Sequence, residues 1–401
     1  MRFDTKLVHI GQEPDGPAGD VTPPIHVGTT YDRFAQDPVR YFYGRGENPT
    51  REALELCLAS LEDARFCTVF SSGQAAATTA LSLLSPGQRL VCCDDVYGGT
   101  HTLVVGLRRF GVRVDLVDLS DRDQARAALA TDVDMVWVET PTNPLLKIVD
   151  IAEVTRLAHA NGAVVVVDNT FASPVLQRPL RWGADVSLHS TTKFIAGHSD
   201  VLGGALVYDH PALHAAFTEH RTVAGNVPGG LDCFLVHRGL KTLSLRVGRQ
   251  VSTARVLADM LRGSPTVREV RYPGLPDHPG HDIAARQMAA PGSVISFRYA
   301  GPVEPLLAST TLFTCAVSLG GVRSLIECPA LMTHRPVPRQ ARLAAGITDD
   351  LIRLSVGIED PEDLAEDLGS ALAKPKGGFQ TTEDMDDFRP SCDHLMHKHP
   401  L

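Results

Sequence analysis

The segment VSLHSTTKFIAGHSD, residues 186–200, places one lysine among hydroxyl residues directly after an apolar run. Lys193 follows Ser190, Thr191 and Thr192 and is the only lysine or arginine of the segment. An amine that its neighbours shield from water has a lowered pKa and becomes a nucleophile toward a carbonyl carbon. Taken alone, the segment also fits a loop lysine that extends into solvent. The role of Lys193 therefore depends on what lies around it.

Four further features carry chemistry at points where predicted strands end. Asp168 ends the run AVVVVD, where a carboxylate either caps the next segment or pairs with a buried cation. The turn at residues 71–74, SSGQ, leads into a helix start, which binds an anion or forms a tight turn alone. Tyr97 in DDVYGGT can stack on a planar ring or pack in the core. Arg353 in LIRLSVG suits either a bound carboxylate or a structural salt bridge.

These five features together match the requirements of one cofactor, pyridoxal 5′-phosphate. Its aldehyde needs a lysine, its pyridine nitrogen a carboxylate, its ring a stacking partner and its phosphate an anion-binding turn. An arginine would then hold the carboxylate of an amino-acid substrate. We therefore predict a pyridoxal 5′-phosphate site built around Lys193 and Asp168.

Short apolar runs that alternate with helical patterns predict the scaffold that must position these residues. Continuous apolar strands separated by helices are typical of a mostly parallel sheet with helices on both faces, where ligands bind at the strand ends. A helical region from about Leu231 to Arg262 leads to a smaller C-terminal α/β region with apolar runs at 293–299 and 351–360 and a last helix near 361–374. The predicted strands of the larger region are 65–70, 89–93, 112–118, 133–139, 163–168, 185–189 and 204–209.

The composition argues against several classes of protein. The chain has 401 residues, 43% of them hydrophobic, and a net charge of −9, which disfavours nucleic acid and anionic membranes as main partners. No apolar run approaches the roughly 20 residues of a membrane helix, and the start MRFDTKLVHIGQ has no signal-peptide core, so we expect a cytoplasmic protein. The eight cysteines form no CxxC pair, so we expect free thiols and no metal site.

Nine motifs in a fixed order give the chain a resemblance to a known family. From about Lys6 to Lys374 it is similar to the cystathionine γ-synthase, cystathionine γ-lyase and methionine γ-lyase group of pyridoxal-phosphate enzymes, and most similar to the γ-lyases. The resemblance implies the fold-type I architecture. The motifs are TPPIHVGTTY (22–31), YGRGENPTR (43–51), SSGQAA (71–76), DDVYGGT (94–100), ETPTNP (139–144), VVDNTF (166–171), HSTTKFIAGHSD (189–200), SLGGVRSL (318–325) and LIRLSVGIED (351–360).

The resemblance implies catalytic and substrate-binding roles. Lys193 would bond the cofactor aldehyde and later move protons at Cα and Cβ of the substrate. Tyr97 would stack on the ring and act as acid or base at the leaving group. Arg353, with Ser318 nearby, would hold the substrate α-carboxylate.

The resemblance also implies how the cofactor is held. Asp168 would keep the pyridine nitrogen protonated, and Asn143 would touch the 3-oxygen. The phosphate would bind to the N–H groups of Gly73 and Gln74 and to the hydroxyls of Ser190 and Thr192.

Two further residues imply an assembly. Tyr43 and Arg45 are similar to residues that reach the phosphate of the neighbouring subunit, which implies a homodimer with shared active sites, and the family usually forms a homotetramer of two such dimers. We expect an extended arm over 1–50 that contacts the neighbouring subunit, a cofactor-binding domain over 51–238, a C-terminal domain over 239–376 and a disordered tail over 377–401.

Positions near the distal end of the substrate depart from the family patterns. Phe42 stands where cystathionine-using members carry an acidic residue, and it is similar to methionine γ-lyases. Thr102 stands where those members often carry arginine, whereas Gly99 replaces a cysteine usual in methionine γ-lyases. Arg323 matches neither pattern, and either recognises an acidic distal group or lies at the surface.

The function predicted from these residues is γ-elimination on L-cystathionine or a related sulfur amino acid, which releases a 2-oxo acid, ammonia and a thiol. Methionine γ-lyase activity is one alternative. Another is γ-replacement, by a cystathionine γ-synthase or a homoserine-ester sulfhydrylase, because the same residues serve both reactions. A non-catalytic cofactor-binding protein on this fold is disfavoured, since clustered ionisable residues mark functional sites.

Overall fold

A seven-stranded sheet forms the larger part of the molecule, for which a computed structural model describes residues 1–13, 19–34 and 40–373. Its strands are β1 (Phe66–Phe70), β2 (Arg89–Cys93), β3 (Arg113–Val117), β4 (Met135–Glu139), β5 (Val164–Asp168), β6 (Val186–His189) and β7 (Gly204–Tyr208). They lie in the order β1-β7-β6-β5-β4-β2-β3. The strand β7 is antiparallel to both of its neighbours, and the other pairs are parallel. The carboxyl ends of β1, β4, β5 and β6 therefore meet at one edge.

Both faces of this sheet are buried. In β7, Leu206 and Tyr208 pack in one hydrophobic core, and the alternate residues Ala205 and Val207 pack in another. Burial on both faces is the reason that the strands read as continuous apolar runs. The helices of this part are α1 (Phe3–His9), α2 (Pro49–Leu61), α3 (Gly73–Leu81), α4 (Gly98–Gly106), α5 (Arg122–Ala128), α6 (Ile151–His159), α7 (Ser173–Leu176), α8 (Pro211–Ala224) and α9 (Gly230–Leu240), with 3₁₀ turns at Leu107–Phe110 and Pro179–Trp182.

A five-stranded sheet forms the smaller C-terminal part. Its strands are β8 (Val267–Arg271), β9 (Val294–Tyr299), β10 (Thr314–Cys315), β11 (Leu325–Glu327) and β12 (Leu351–Ser355). They lie in the order β10-β11-β12-β9-β8, antiparallel except for β10 and β11. The helices are α10 (Leu243–Arg262), α11 (His281–Gln287), α12 (Val303–Ser309), α13 (Arg339–Ala345) and α14 (Pro361–Ala373).

The seven predicted strands of the large sheet are confirmed within two residues at each end. The predicted helical region 231–262 consists of two helices, α9 and α10, which are separated by Lys241 and Thr242. Sequence reasoning missed β8, β11 and α8. The residues of both strands are mixed in polarity and β11 has only three residues, so the period of 2 is not visible in them.

The expectation of a wholly extended arm over residues 1–50 is wrong for α1. Phe3, Leu7 and Ile10 have helical spacing and pack against one core, but a helix of seven residues is too short for its period to stand out in the sequence. The predicted tail over 377–401 lies outside the described residues. Within the described ranges, no helix is both long and apolar enough to cross a membrane.

Candidate active site

Ten of the predicted site residues meet in one cavity of about 240 Å³ at the carboxyl ends of the large sheet's strands. Asp168 ends β5, Glu139 ends β4, and Ser190 follows β6, so parallel pairing brings them to one edge. Residues of the small sheet close the other side. The lining residues that the sequence singled out are Gly73, Gln74, Tyr97, Asn143, Asp168, Ser190, Thr192, Lys193, Ser318 and Arg353.

The Lys193 amine is buried inside this cavity. Its Nζ donates a hydrogen bond of 2.6 Å to Oγ of Ser318. Burial lowers the pKa of Lys193 to about 8, with a further decrease from the positive charge of Arg353 and an opposing increase from Glu327. This shift favours the neutral amine that a nucleophile or general base requires.

A buried arginine holds the backbone that follows Lys193. Nη1 of Arg246 donates to the Phe194 carbonyl at 2.7 Å, and Nη2 donates to the carbonyls of Ile195 and Gly239 at 3.1 and 2.9 Å. Gly197 has a φ of +73°, and a Cβ there would lie 1.9 Å from Nη1 of Arg246. Glycine is needed at position 197 for both reasons.

Asp168 supplies a half-buried carboxylate to the cavity from the end of β5. Its Oδ1 accepts the N–H of Thr170 at 3.0 Å. Burial raises the pKa of Asp168, although the bonds to Thr170 oppose this change. A buried carboxylate is stable in its charged form only with a cationic or strongly donating partner. A protonated ring nitrogen would be such a partner.

Glu139 is a second buried carboxyl group that sequence reasoning missed. It is the direct neighbour of Asp168 in the β4–β5 register, and its Oε2 accepts the N–H of Tyr97 at 3.1 Å. Burial, with the adjacent Asp168, raises the pKa of Glu139 well above its ordinary value. Its position was visible in the sequence, because Glu139 ends an apolar run as Asp168 does.

The first turn of α3 forms the predicted anion site. Ser72 caps this helix through its hydroxyl, which accepts the N–H of Ala75 at 3.1 Å. The N–H groups of Gly73 and Gln74 lie in the first turn, where a helix offers no intrahelical acceptor. A Cβ on Gly73 would lie 2.8 Å from Cβ of Ser190, so the turn and the hydroxyl segment are in direct contact. The Thr192 hydroxyl is bonded to the backbone of Gly203 at 3.2 and 3.0 Å.

Tyr97 stands at the mouth of the cavity as the residue before α4 and is 40% exposed. A Cβ on Gly99 would lie 2.5 Å from Cε1 of the Tyr97 ring. Any larger residue at 99 would therefore displace the ring from this orientation. The nearby Thr102 hydroxyl is bonded to the Gly98 carbonyl at 3.0 Å.

Arg353 is buried in β12 and bonded on several sides. It donates to Oδ1 of Asn143 and to the Ser318 carbonyl, each at 2.8 Å, and its Nη2 forms an ion pair with Oε1 of Glu327 at 2.8 Å. The salt bridge considered as an alternative role is therefore present, and Arg353 also lines the cavity. Ser318, which contacts both Arg353 and Lys193, has a φ of +87°, a strained conformation of the kind that clusters at functional sites.

A family model described as Cys/Met metabolism PLP-dependent enzyme matches residues 4–373. The chain belongs to this family. A Mycobacterium tuberculosis protein named cystathionine gamma-synthase is 49% identical over 378 residues, covering 92% of this chain and 96% of that protein. A Macaca fascicularis protein named cystathionine gamma-lyase is 43% identical over 387 residues, covering 94% of this chain and 96% of that protein.

Solved structures of the family share this fold closely. A Micromonospora echinospora protein, named a cystathionine γ-lyase in one structure and a methionine γ-lyase in another, is 66% identical to this chain. The two structures have TM-scores of 0.91 and 0.89 and cover 93% of this chain, with 100% and 99% of their own chains covered. The chain is thus a fold-type I pyridoxal-phosphate enzyme of the cystathionine lyase and synthase family, as the sequence predicted.

The cavity fits the family's cofactor, pyridoxal 5′-phosphate. It combines an amine of lowered pKa at Lys193, a carboxylate of raised pKa at Asp168 and the first-turn N–H groups of Gly73 and Gln74. Bound there, the cofactor would be held by Lys193 at its aldehyde, by Asp168 at its ring nitrogen and by the first turn of α3 at its phosphate. Among the described residues, no cluster of His, Cys, Asp or Glu could hold a metal ion.

Four predicted site residues do not line the cavity of the single chain. Phe42 is 68% exposed under the guanidinium of Arg33, and Arg45 donates to the Thr222 carbonyl and lies over the ring of Tyr43. Arg323 is exposed in the single chain. The roles of Phe42, Tyr43, Arg45 and Arg323 at the site stay predictions.

Proposed function

We propose that the enzyme catalyses γ-elimination on L-cystathionine or a related sulfur amino acid. The observation that carries this proposal is the placement of Lys193, Tyr97 and Arg353 around one cavity, with the Lys193 pKa lowered to about 8. The 66% identity to a protein that is named both a cystathionine and a methionine γ-lyase supports a lyase.

Different residues of the cavity would perform different steps of this reaction. Arg353 would hold the α-carboxylate, which presents Cα to the Lys193 amine. Neutral Nζ would take the proton from Cα and then move a proton at Cβ, and the Tyr97 hydroxyl would give a proton to the departing sulfur. The cofactor, when bound, supplies an electron sink for the negative charge that develops on the substrate.

The test of this proposal is the release of 2-oxobutanoate from cystathionine, methionine and homocysteine by the purified enzyme. We expect release from at least one of the three, together with ammonia and a thiol. The substrate with the highest kcat/KM defines the preferred leaving group. Release from none of them would exclude γ-elimination of sulfur amino acids.

A second candidate is γ-replacement on an activated homoserine ester. The relatives that are 49% identical and named cystathionine gamma-synthase favour it. Incubation with O-acetyl- or O-succinylhomoserine and cysteine, followed by product analysis, separates the two. Cystathionine formed faster than 2-oxobutanoate would make replacement the main reaction.

We also propose a homodimer with shared active sites, within a homotetramer. Tyr43 and Arg45 lie outside the cavity of their own chain, which supports their action in a neighbouring one. Co-expression of Arg45→Ala and Lys193→Ala chains would then regenerate one intact site in each mixed dimer. We expect about one quarter of wild-type activity from random pairing.

The matched control pairs Arg353→Ala with Lys193→Ala. Both residues line the same cavity of one chain, so no mixed dimer contains an intact site and activity stays absent. Equal, low activity in both mixtures would show that Arg45 does not act across the subunit boundary.

A further inference from the structure

Glu327 is a buried acidic residue with no role in the function proposed above. It is the direct cross-strand partner of Arg353 in the β11–β12 ladder. Its Oε1 lies 2.8 Å from Nη2 of Arg353, and the side chains are 1% and 2% exposed. A buried pair of this kind is costly to desolvate and is often replaceable by apolar residues without loss of stability. The pair therefore needs an explanation beyond stability.

Glu327 belongs to a ring of bonds that connects the two sheets. The Thr333 hydroxyl lies 2.9 Å from Oε1 of Glu327 and 3.1 Å from Nδ1 of His334. Nε2 of His334 lies 3.1 Å from the Asn143 carbonyl, and Oδ1 of Asn143 accepts from Arg353. Arg353 is thus bonded directly to Asn143, which follows β4 of the large sheet, and is linked to the same residue indirectly through Glu327, Thr333 and His334.

The bonds of Arg353 leave an incoming carboxylate in competition with Glu327. A guanidinium has five N–H donors, and both forks that can bind a carboxylate include Nη2. Nη2 donates to the Ser318 carbonyl and lies 2.8 Å from Oε1 of Glu327 in an ion pair, whereas Nε is buried without a hydrogen-bond partner among the described residues. A substrate carboxylate bound at Nε and Nη2 would therefore lie beside Glu327 and share the positive charge of Arg353 with it. It also adds a second negative charge to a pair that is already neutral.

We propose that Glu327 is a positioning residue that orients Arg353 and limits its affinity for the substrate α-carboxylate. This inference rests on the proposed role of Arg353 in carboxylate binding. Glu327 keeps the guanidinium in place between catalytic cycles, and its negative charge weakens the hold on substrate and product. This weakening of binding applies only to ligands that carry an α-carboxylate.

The experiment compares two ligands of equal size, L-alanine and L-alaninamide, on the cofactor-loaded enzyme. The dissociation constant of each is measured from the absorbance and fluorescence changes of the bound cofactor. Glu327→Gln keeps an acceptor for Nη2 but removes the charge. We expect it to bind L-alanine about tenfold more tightly, since removing a charge a few ångströms away has an effect of at least this order. L-alaninamide affinity should change less than about twofold, because the ligand carries no competing charge.

Two further variants separate charge from structure. Glu327→Asp keeps the charge and should not tighten L-alanine binding. Glu359→Gln removes a carboxylate of the same domain that bonds Ser324 instead of Arg353, and should leave both ligands unaffected. Equal effects of Glu327→Gln on the two ligands, weaker L-alanine binding, or no effect at all would overturn the proposal.

The outcome is independent of the reaction catalysed, because L-alanine has no γ-substituent to eliminate. Failure of γ-elimination would appear as the absence of 2-oxobutanoate release by the wild-type enzyme, whatever the L-alanine affinities of the variants. If Arg353→Ala binds L-alanine as well as wild type does, Arg353 is not the carboxylate site, and the role of Glu327 is overturned with it.

Discussion

Replacing Lys193 by alanine is expected to abolish turnover and to remove the cofactor absorbance band at about 420 nm. Lys193 carries the amine that lines the cavity, and burial with Arg353 lowers its pKa to about 8. Loss of a general base alone costs about 10²–10⁴-fold in rate. The covalent attachment of the cofactor is lost as well, so the decrease in kcat should exceed this range. Absorbance spectra and 2-oxobutanoate release measure the two effects separately.

Two variants control this prediction. Lys241→Ala removes a half-buried lysine outside the cavity and should leave the spectrum and kcat unchanged. Lys193→Arg keeps a positive charge that cannot become a neutral nucleophile, so it should be as inactive as the alanine variant. Retention of the full absorbance band by Lys193→Ala would show that another amine binds the cofactor.

Asp168→Asn should reduce kcat by about 10²–10³-fold, which is the usual cost of removing one preorganised electrostatic partner from an active site. The change preserves the volume of the side chain and removes its negative charge. An amide cannot stabilise a proton on the cofactor's ring nitrogen as a buried carboxylate does. The spectrum of the bound cofactor should shift, and the cofactor should dissociate more readily on dialysis.

Asp185→Asn is the matched control for this change. Asp185 lies at the opposite end of the same sheet, where its carboxylate accepts the Val165 N–H at 2.7 Å and contacts His159 at 3.0 Å. Its replacement should lower the melting temperature without changing the cofactor spectrum. A normal kcat and spectrum in Asp168→Asn would exclude the assigned role of Asp168.

The large sheet was predictable because its strands are buried on both faces. Such strands read as unbroken apolar runs, and Val164–Asp168 and Met135–Glu139 are examples. The small sheet was only partly predictable. In β8 and β11 the residues are mixed in polarity, and their assignment to strands depends on pairing with β9 and β12. Similarly, α1 has only seven residues, and its Phe3, Leu7 and Ile10 pack against a core formed by distant residues.

The chemical identity of the site was contained in the sequence. Lys193, Asp168, Tyr97 and the turn before α3 all stand at the ends of apolar runs, and parallel pairing alone brings such ends to one edge. The motifs around them then indicated the family. Glu139 could have been found by the same reasoning, because it ends β4 at the level of Asp168.

The partners of these residues were decided only by the tertiary structure. The sequence left Arg353 between a substrate carboxylate and a salt bridge, and its pairing with Glu327 follows from the register of two antiparallel strands. The hydrogen bonds from Lys193 to Ser318 and from Arg353 to Asn143 likewise join the two sheets. Local patterns determine which residues lie at a strand end, whereas bonds between distant segments depend on how the sheets pack. The sequence by itself therefore determined the cofactor chemistry. The packing of the small sheet on the large one determined which groups bond Arg353, and strand register determined that Glu327 neutralises its charge.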